Sequence, residues 1–145
     1  MSRIYALSSV KFFGLKLRLC KKRTNIRYAR TSWPGCAVVG NKFIVAGGED
    51  KNGNSLKSTE IIDLLTRSII AGAGMEKPRG WFHLLSISGT LHALGGLSYY
   101  DGNENYLAGV EEFVEETGTW KPATSLSGAR SKYGGVAVNL DLICG

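Results

Sequence analysis

A pattern that returns about every fifty residues limits what this chain can become more than any other feature. Lys42 to Asn54 reads KFIVAGGEDKNGN and Thr90 to Asn103 reads TLHALGGLSYYDGN: each is an alternating apolar run that ends in a double glycine and then breaks into a polar loop. Glu60 falls on Glu111, Thr66 on Thr117, Met75 on Leu126 and Arg79 on Arg130, each pair 51 positions apart. Gly47-Gly48 and Gly95-Gly96 are 48 apart, as are Trp33 and Trp81, so the second copy carries a longer loop after its glycines. A third copy starts after Arg130 with SKYGGVAVNLDLICG. Self-similarity at this period denotes stacked units, none of which can bury its own apolar face alone.

Inside each copy the reading is four short strands. GCAVVG and FHLLSIS are apolar runs of strand length, and FIVA and LHAL follow after turns of two or three residues. STEIIDLL and GVEEFVE form the third strand, closed by TRS and TGT, and IIAGAG and WKPATS form the fourth. Runs this short, with turns this frequent, exclude long helices. Four-stranded units of this length are propeller blades, so the expected fold is all-β and the propeller in this chain is incomplete. The expected organisation is a basic segment at 1–28, one repeat at 29–79, a second at 80–130 and the start of a third at 131–145.

These residues resemble the kelch motif: a double glycine after the second strand, a third strand led by glutamate, Thr-Gly-Thr-Trp at 117–120 and an arginine closing the unit. The resemblance covers roughly residues 30–145 and is fuller in the second copy, because Ile69 stands in the first where Trp120 stands in the second. Glycine suits the end of the second strand because it reaches positive φ and permits close backbone approach. Gly47, Gly48, Gly95 and Gly96 are therefore expected to serve structure. Trp120 is expected to fill the wedge between blades, and Glu60, Glu111, Arg79 and Arg130 to pair structurally or to be solvated rather than to catalyse. A propeller needs neighbours on both faces of each blade. Two blades leave two apolar faces open, which points to a longer protein or to self-association that closes a ring.

Charge is unevenly placed. Nine of the 18 basic residues lie in the first 30 positions, which hold no acid, and the remaining 115 residues carry a net charge of −3. Nucleic-acid binding by the repeat body is therefore not expected. The basic segment alternates Leu15, Leu17 and Leu19 with Lys16 and Arg18, as a strand with one basic face would. It also resembles a mitochondrial presequence, and its KKR at 21–23 a nuclear-type cluster; a solvated arm is the plainer reading. Cys20, Cys36 and Cys144 are too dispersed for a zinc site, and no uncharged run is long enough for a membrane helix. The expectation is a cytoplasmic protein that does not enter membranes.

No nucleophilic triad, phosphate loop or flavin fingerprint is present, and neither metal nor cofactor is expected. His83 and His92 lie in neighbouring strands without a suitable third ligand, and strand alternation keeps Glu111, Glu112, Glu115 and Glu116 from converging. Loop lengths carry the functional reading. The second-to-third-strand loops and the links between blades emerge on one face, and that face carries Tyr99, Tyr100, Asp101, Arg79 and Arg130. Tyrosine and arginine on long loops form binding hot spots, so the expectation is a non-catalytic protein-binding face; the alternative is a polar loop with incidental aromatics. The resemblance implies substrate recognition for a cullin-type ubiquitin ligase through BTB and BACK domains that these residues do not contain. Two other readings stay open. One is a propeller enzyme of galactose-oxidase type, for which Tyr99, Tyr100, His83 and His92 are a weak copper set, and the other is a non-functional gene fragment.

Overall fold

The computed structural model describes Arg30 and residues 33–132. The expectations for the basic segment at 1–28, for Cys20 and Cys144, and for the third repeat beyond Lys132 lie outside the described residues.

β1 (Gly35–Val39), β2 (Lys42–Ala46), β3 (Thr59–Asp63) and β4 (Ile69–Gly72) form one antiparallel sheet in sequential order. β5 (His83–Ile87), β6 (Thr90–Leu94), β9 (Val110–Val114) and β10 (Thr119–Ala123) form the second, again with each strand beside the next in its repeat. The two sheets have the four-stranded antiparallel form of propeller blades, and all eight strands fall on the runs expected from the sequence. β1–β2 and β5–β6 are joined by two residues each, Gly40-Asn41 and Ser88-Gly89. The third-to-fourth-strand turns are longer than the two or three residues expected, at 64–68 and 115–118. Asp63 explains the first: its Oδ1 accepts the Leu65 and Thr66 amides at 2.8 Å each, so a side chain closes a turn that a short hairpin would close with backbone alone.

The core lies between the blades. Ile44, Ala46 and Met75 of the first pack with Phe82, Leu84, Leu91, Ala93 and Trp120 of the second. Trp120 occupies the wedge, 9% exposed, in edge contact with Phe113 at 5.3 Å, and its Nε1 donates to the Ala73 carbonyl at 3.1 Å. The double glycines stand where the chain turns against the next unit. A Cβ on Gly47 would lie 2.3 Å from the Arg79 carbonyl oxygen, and one on Gly96 2.7 Å from that of Gly80. Both have positive φ, 60° and 104°. Each repeat uses the same bond there: Gly48 N to Arg79 O at 2.9 Å, and Gly96 N to Arg130 O at 2.7 Å.

The outward faces are not both apolar. Ile44, Ile61 and Ile70 of the first blade have His92, Glu112 and Lys121 in the same positions of the second. Lys121 Nζ lies 2.9 Å and His92 Nε2 3.6 Å from the Glu112 carboxylate. The face of the second blade that points away from the first therefore carries a cross-strand charge ladder at its centre, where the repeat alone suggested continuous apolar surface.

Candidate binding face

The long loops meet at one end of the blades. In the first blade's loop, residues 47–58, Asp50 Oδ1 accepts the amides of Asn52 (2.8 Å) and Asn54 (2.9 Å), which closes the tip on itself. The second blade's loop is not irregular. Leu97–Tyr100 and Asn103–Tyr106 form a two-stranded ribbon, β7 and β8, turned by Asp101-Gly102. Asp101 and Gly102 have φ of 47° and 81°, the left-handed pair of a type I′ turn. Asp-Gly between two short runs is the signal for this hairpin, which the low strand propensity of Asn103, Glu104 and Asn105 obscures in a stretch expected to be a polar loop.

The ribbon is bolted to the neighbouring blade. Ser55 donates its amide to the Tyr99 carbonyl (2.8 Å) and accepts the Tyr99 amide on its hydroxyl (2.9 Å). Gly80 and Leu97 exchange both backbone bonds at 2.8 Å, and the Asp101 amide donates to Asn54 Oδ1 at 3.2 Å. The hairpin is thus a fixed platform across two repeats.

Strand alternation separates the two tyrosines expected to act together, because adjacent residues leave β7 on opposite faces. Tyr100 is 69% exposed, and Tyr99 is half-buried on the face it shares with Glu104 and Tyr106. Tyr106 is 53% exposed, and its hydroxyl donates to Glu104 at 3.3 Å. The sequence reading did not single it out. Asp101 is exposed at the tip.

Beside the ribbon runs a column that spacing foreshadowed and the sequence reading used only as a ruler. Trp33 and Trp81 stack with ring centroids 4.1 Å apart, and Lys132 places its ammonium 4.4 Å from the Trp81 ring. The three occupy the same position in successive repeats, and all have left-handed φ, 48°, 55° and 57°. They are chained by Trp81 N to Trp33 O and Lys132 N to Trp81 O, both 3.2 Å. Trp81 Nε1 also donates to Glu49 at 3.1 Å, which joins the column to the first loop.

Of the two readings of Arg79, partner contact and structural pairing, the structure shows the pairing. Arg79 is 1% exposed, and its guanidinium donates to the carbonyls of Gly95 (2.8 Å) and Gly109 (3.0 Å) and to Glu111 (2.5 Å). A side chain so enclosed supports the loops and cannot present its charge to a partner. Glu111 in turn accepts the amides of Glu76 (2.6 Å) and Lys77 (3.1 Å), which pins the link between blades. The first repeat has the same clasp: buried Arg30 donates to Gly47 O at 2.6 Å and to buried Glu60 at 3.3 Å. Arg130, the next in register, is exposed, and its guanidinium donates to Ser127 Oγ at 3.2 Å.

Among the described residues no three His, Cys, Asp or Glu side chains group as a metal site. Glu111 faces Arg79 and Glu112 faces His92 and Lys121, as alternation in β9 requires, and Glu115, in the turn beyond it, faces Lys42 at 2.8 Å. Hydrogen bonding from Lys121 holds the Glu112 carboxyl below its ordinary value, and Lys42 does the same for Glu115. The copper set is divided as well: His83 and His92 belong to the second blade, and Tyr99 and Tyr100 to the separate β7–β8 ribbon. No helix among the described residues is long and apolar enough to cross a membrane.

Comparison with known proteins agrees with this architecture. The family model of the kelch motif matches residues 34–68. An F-box/kelch-repeat protein of Arabidopsis thaliana is 29% identical over 101 residues, which are 69% of this chain and 24% of that relative. The chain matches about a quarter of the relative's length.

Proposed function

We infer that this chain, a kelch-repeat protein and as such a protein-interaction module, contacts its partner through the face made by the β7–β8 ribbon, the 47–58 loop and the Trp33–Trp81–Lys132 column. The observation that carries the reading is the ribbon: a fixed platform, tied by Ser55, Asn54 and Gly80, that holds Tyr100 and Tyr106 largely in solvent. Rigid exposed aromatics give contact area at low entropic cost, which is the character of a binding anchor. Asp101 and Arg130 stand at the edge of the same face, where they steer association more than they hold it.

The role we propose for this face is recognition of a substrate protein for ubiquitin-ligase machinery of the cullin type, with the ligase contact made by domains other than these repeats. The F-box named in the Arabidopsis relative supports that reading. The test is affinity capture on the immobilised chain followed by titration of each captured protein. Tyr100→Ala should weaken the specific partner about tenfold, as loss of one hot-spot aromatic does, with the far-ultraviolet circular dichroism unchanged. Equal affinity of Tyr100→Ala and Tyr106→Ala variants and the parent chain would overturn the assignment of the face. Absence of a cullin from complexes isolated with the protein from cells would overturn the ligase role alone.

A further inference from the structure

The tip of the 47–58 loop combines a reactive dipeptide with bonds that restrain it. Asn52 is followed by Gly53, the single Asn-Gly step in the sequence, and Asn52 is exposed. An asparagine side chain converts when the backbone nitrogen of the next residue attacks its carbonyl carbon, and a side chain on that next residue obstructs the approach. Glycine offers no obstruction. Even a Cβ built on Gly53 would meet no atom within 4 Å, so the surroundings of the dipeptide are open as well. The other described asparagines are worse placed. Asn41, Asn103 and Asn105 precede the bulky Lys42, Glu104 and Tyr106. Asn54 precedes Ser55, which is buried and whose amide is held by the Tyr99 carbonyl at 2.8 Å. The restraint acts on the attacking atom. Gly53 N donates to the Asp50 carbonyl at 3.1 Å, and Asp50 Oδ1 accepts the amides of Asn52 at 2.8 Å and Asn54 at 2.9 Å. Attack requires the Gly53 nitrogen to lose its proton, and both its hydrogen bond and the nearby carboxylate oppose the anion that results.

We propose that Asn52 is a site of slow, spontaneous deamidation whose rate is set by local opening of the Asp50 clamp. The Gly53 nitrogen gives its proton to solvent base and bonds to Asn52 Cγ; the bond from Cγ to Nδ2 breaks, and Nδ2 leaves as ammonia. Water then adds to either carbonyl of the five-membered imide, and the ring opens to aspartate or isoaspartate. The sum is one water consumed and one ammonia released, with no oxidant or reductant. Both products place a new carboxylate on the loop. Isoaspartate also routes the main chain through its side-chain carbon, which adds a methylene between residues 52 and 53. The tip is closed by Gly53 N to Asp50 O and by Asp50 N to Asn54 O at 2.9 Å, and both bonds span the inserted atom. Asn54 Oδ1 in turn accepts the Asp101 amide at 3.2 Å. The modification therefore loosens the link between the first loop and the β7–β8 ribbon. The chemistry stands apart from the reading of this face as a contact surface; only its consequence for a partner rests on that reading.

The experiment incubates the full 145-residue chain in mildly alkaline buffer, folded and unfolded in urea, and follows the tryptic peptide 52–57 by mass, with fragmentation to separate residue 52 from residue 54. Residue 52 should gain the mass of a deamidation in both samples. The folded chain should react about fiftyfold more slowly, a factor of about five for the Gly53 bond and about ten for the bonds to the carboxylate. Asp50→Ala should speed the folded reaction about tenfold and leave the rate in urea unchanged. In the aged folded chain the Asp101 amide should exchange faster with deuterium, while the Tyr99 amide, held by the Ser55 hydroxyl at 2.9 Å, keeps its protection. Freshly prepared Asn52→Asp, which carries the charge without the extra methylene, should leave the Asp101 amide as in the parent chain. Equal rates in the folded and unfolded samples, or an Asp50→Ala variant no faster than the parent, would overturn the clamp. A folded chain unchanged at residue 52 after the urea sample has converted in full would overturn the site. None of these readouts involves a partner, so a failure of the loop-face reading in the Tyr100→Ala titrations would leave them standing.

Discussion

Removing the Glu111 carboxylate should cost this fold more than any change on its surface. Glu111 and Arg79 are 3% and 1% exposed at their side chains, and the carboxylate also receives the Glu76 and Lys77 amides. Glu111→Ala leaves the guanidinium with carbonyl partners but no counter-charge, and strands two amides at the link between blades. Breaking one side of a buried pair costs about 3–5 kcal/mol. A domain of this size has about 5–15 kcal/mol in all, so the variant should stand near the edge of folding. Urea unfolding followed by tryptophan fluorescence should show the midpoint fall by about 2 M, at a slope of about 2 kcal/mol/M. Arg79→Met should cost a similar amount. The double variant Arg79→Met, Glu111→Leu should cost clearly less than the sum, because an apolar pair leaves no buried charge. The exposed pair Lys42–Glu115, by contrast, is screened by solvent, and Glu115→Ala should leave the urea midpoint nearly unchanged. A loss below about 1 kcal/mol for Glu111→Ala, or single effects that simply add, would refute the view that this clasp holds the loop face in place.

Two other outcomes follow from single residues. Thr59 is 2% exposed, its hydroxyl has no hydrogen-bond partner among the described residues, and it borders an apolar void with Ile44, Ile61, Leu91, Phe113 and Trp120. Thr59→Val should therefore stabilise by about 1 kcal/mol in the same urea assay, and destabilisation would show that the hydroxyl is satisfied. Asp63 is held below its ordinary value of 3.8, first by the Thr66 amide, against a smaller opposing effect of desolvation. Its hydrogen bonds thus favour the folded state in full above 3.8, and that contribution is lost as pH falls through the lower folded value. Titration of the Asp63 carboxyl carbon should give a midpoint below 3.8; one at or above it would contradict the turn geometry.

Strand positions were legible because alternation, double glycines and turn residues recur in register, so two copies corroborate each other. Trp120 was readable as a wedge because a large aromatic in a blade's last strand has few other ways to be buried. The ribbon was missed because it exists in one copy only, and its strand residues Asn103, Glu104 and Asn105 owe their pairing to the Asp101-Gly102 turn and to Ser55 across the blades. The assignment of Arg79 to the binding face failed for a different reason, while its pairing with a structural partner was among the readings. Its position between blades suggests exposure, and only the three-dimensional meeting of the Gly95 and Gly109 carbonyls with Glu111 shows why a charge can be enclosed there. The charge ladder His92–Glu112–Lys121 was visible residue by residue, but its common face appears only when β6, β9 and β10 are paired.

The measurement that bears most directly on the account is a hydrogen-exchange footprint of the full chain with and without a captured partner. Protection should fall on residues 49–55, 80–81 and 97–106, and the turns at 40–41, 64–68, 88–89 and 115–118 on the opposite end should be unchanged. Protection confined to those turns would contradict the account, because the partner would then use the end of the blades that carries no ribbon.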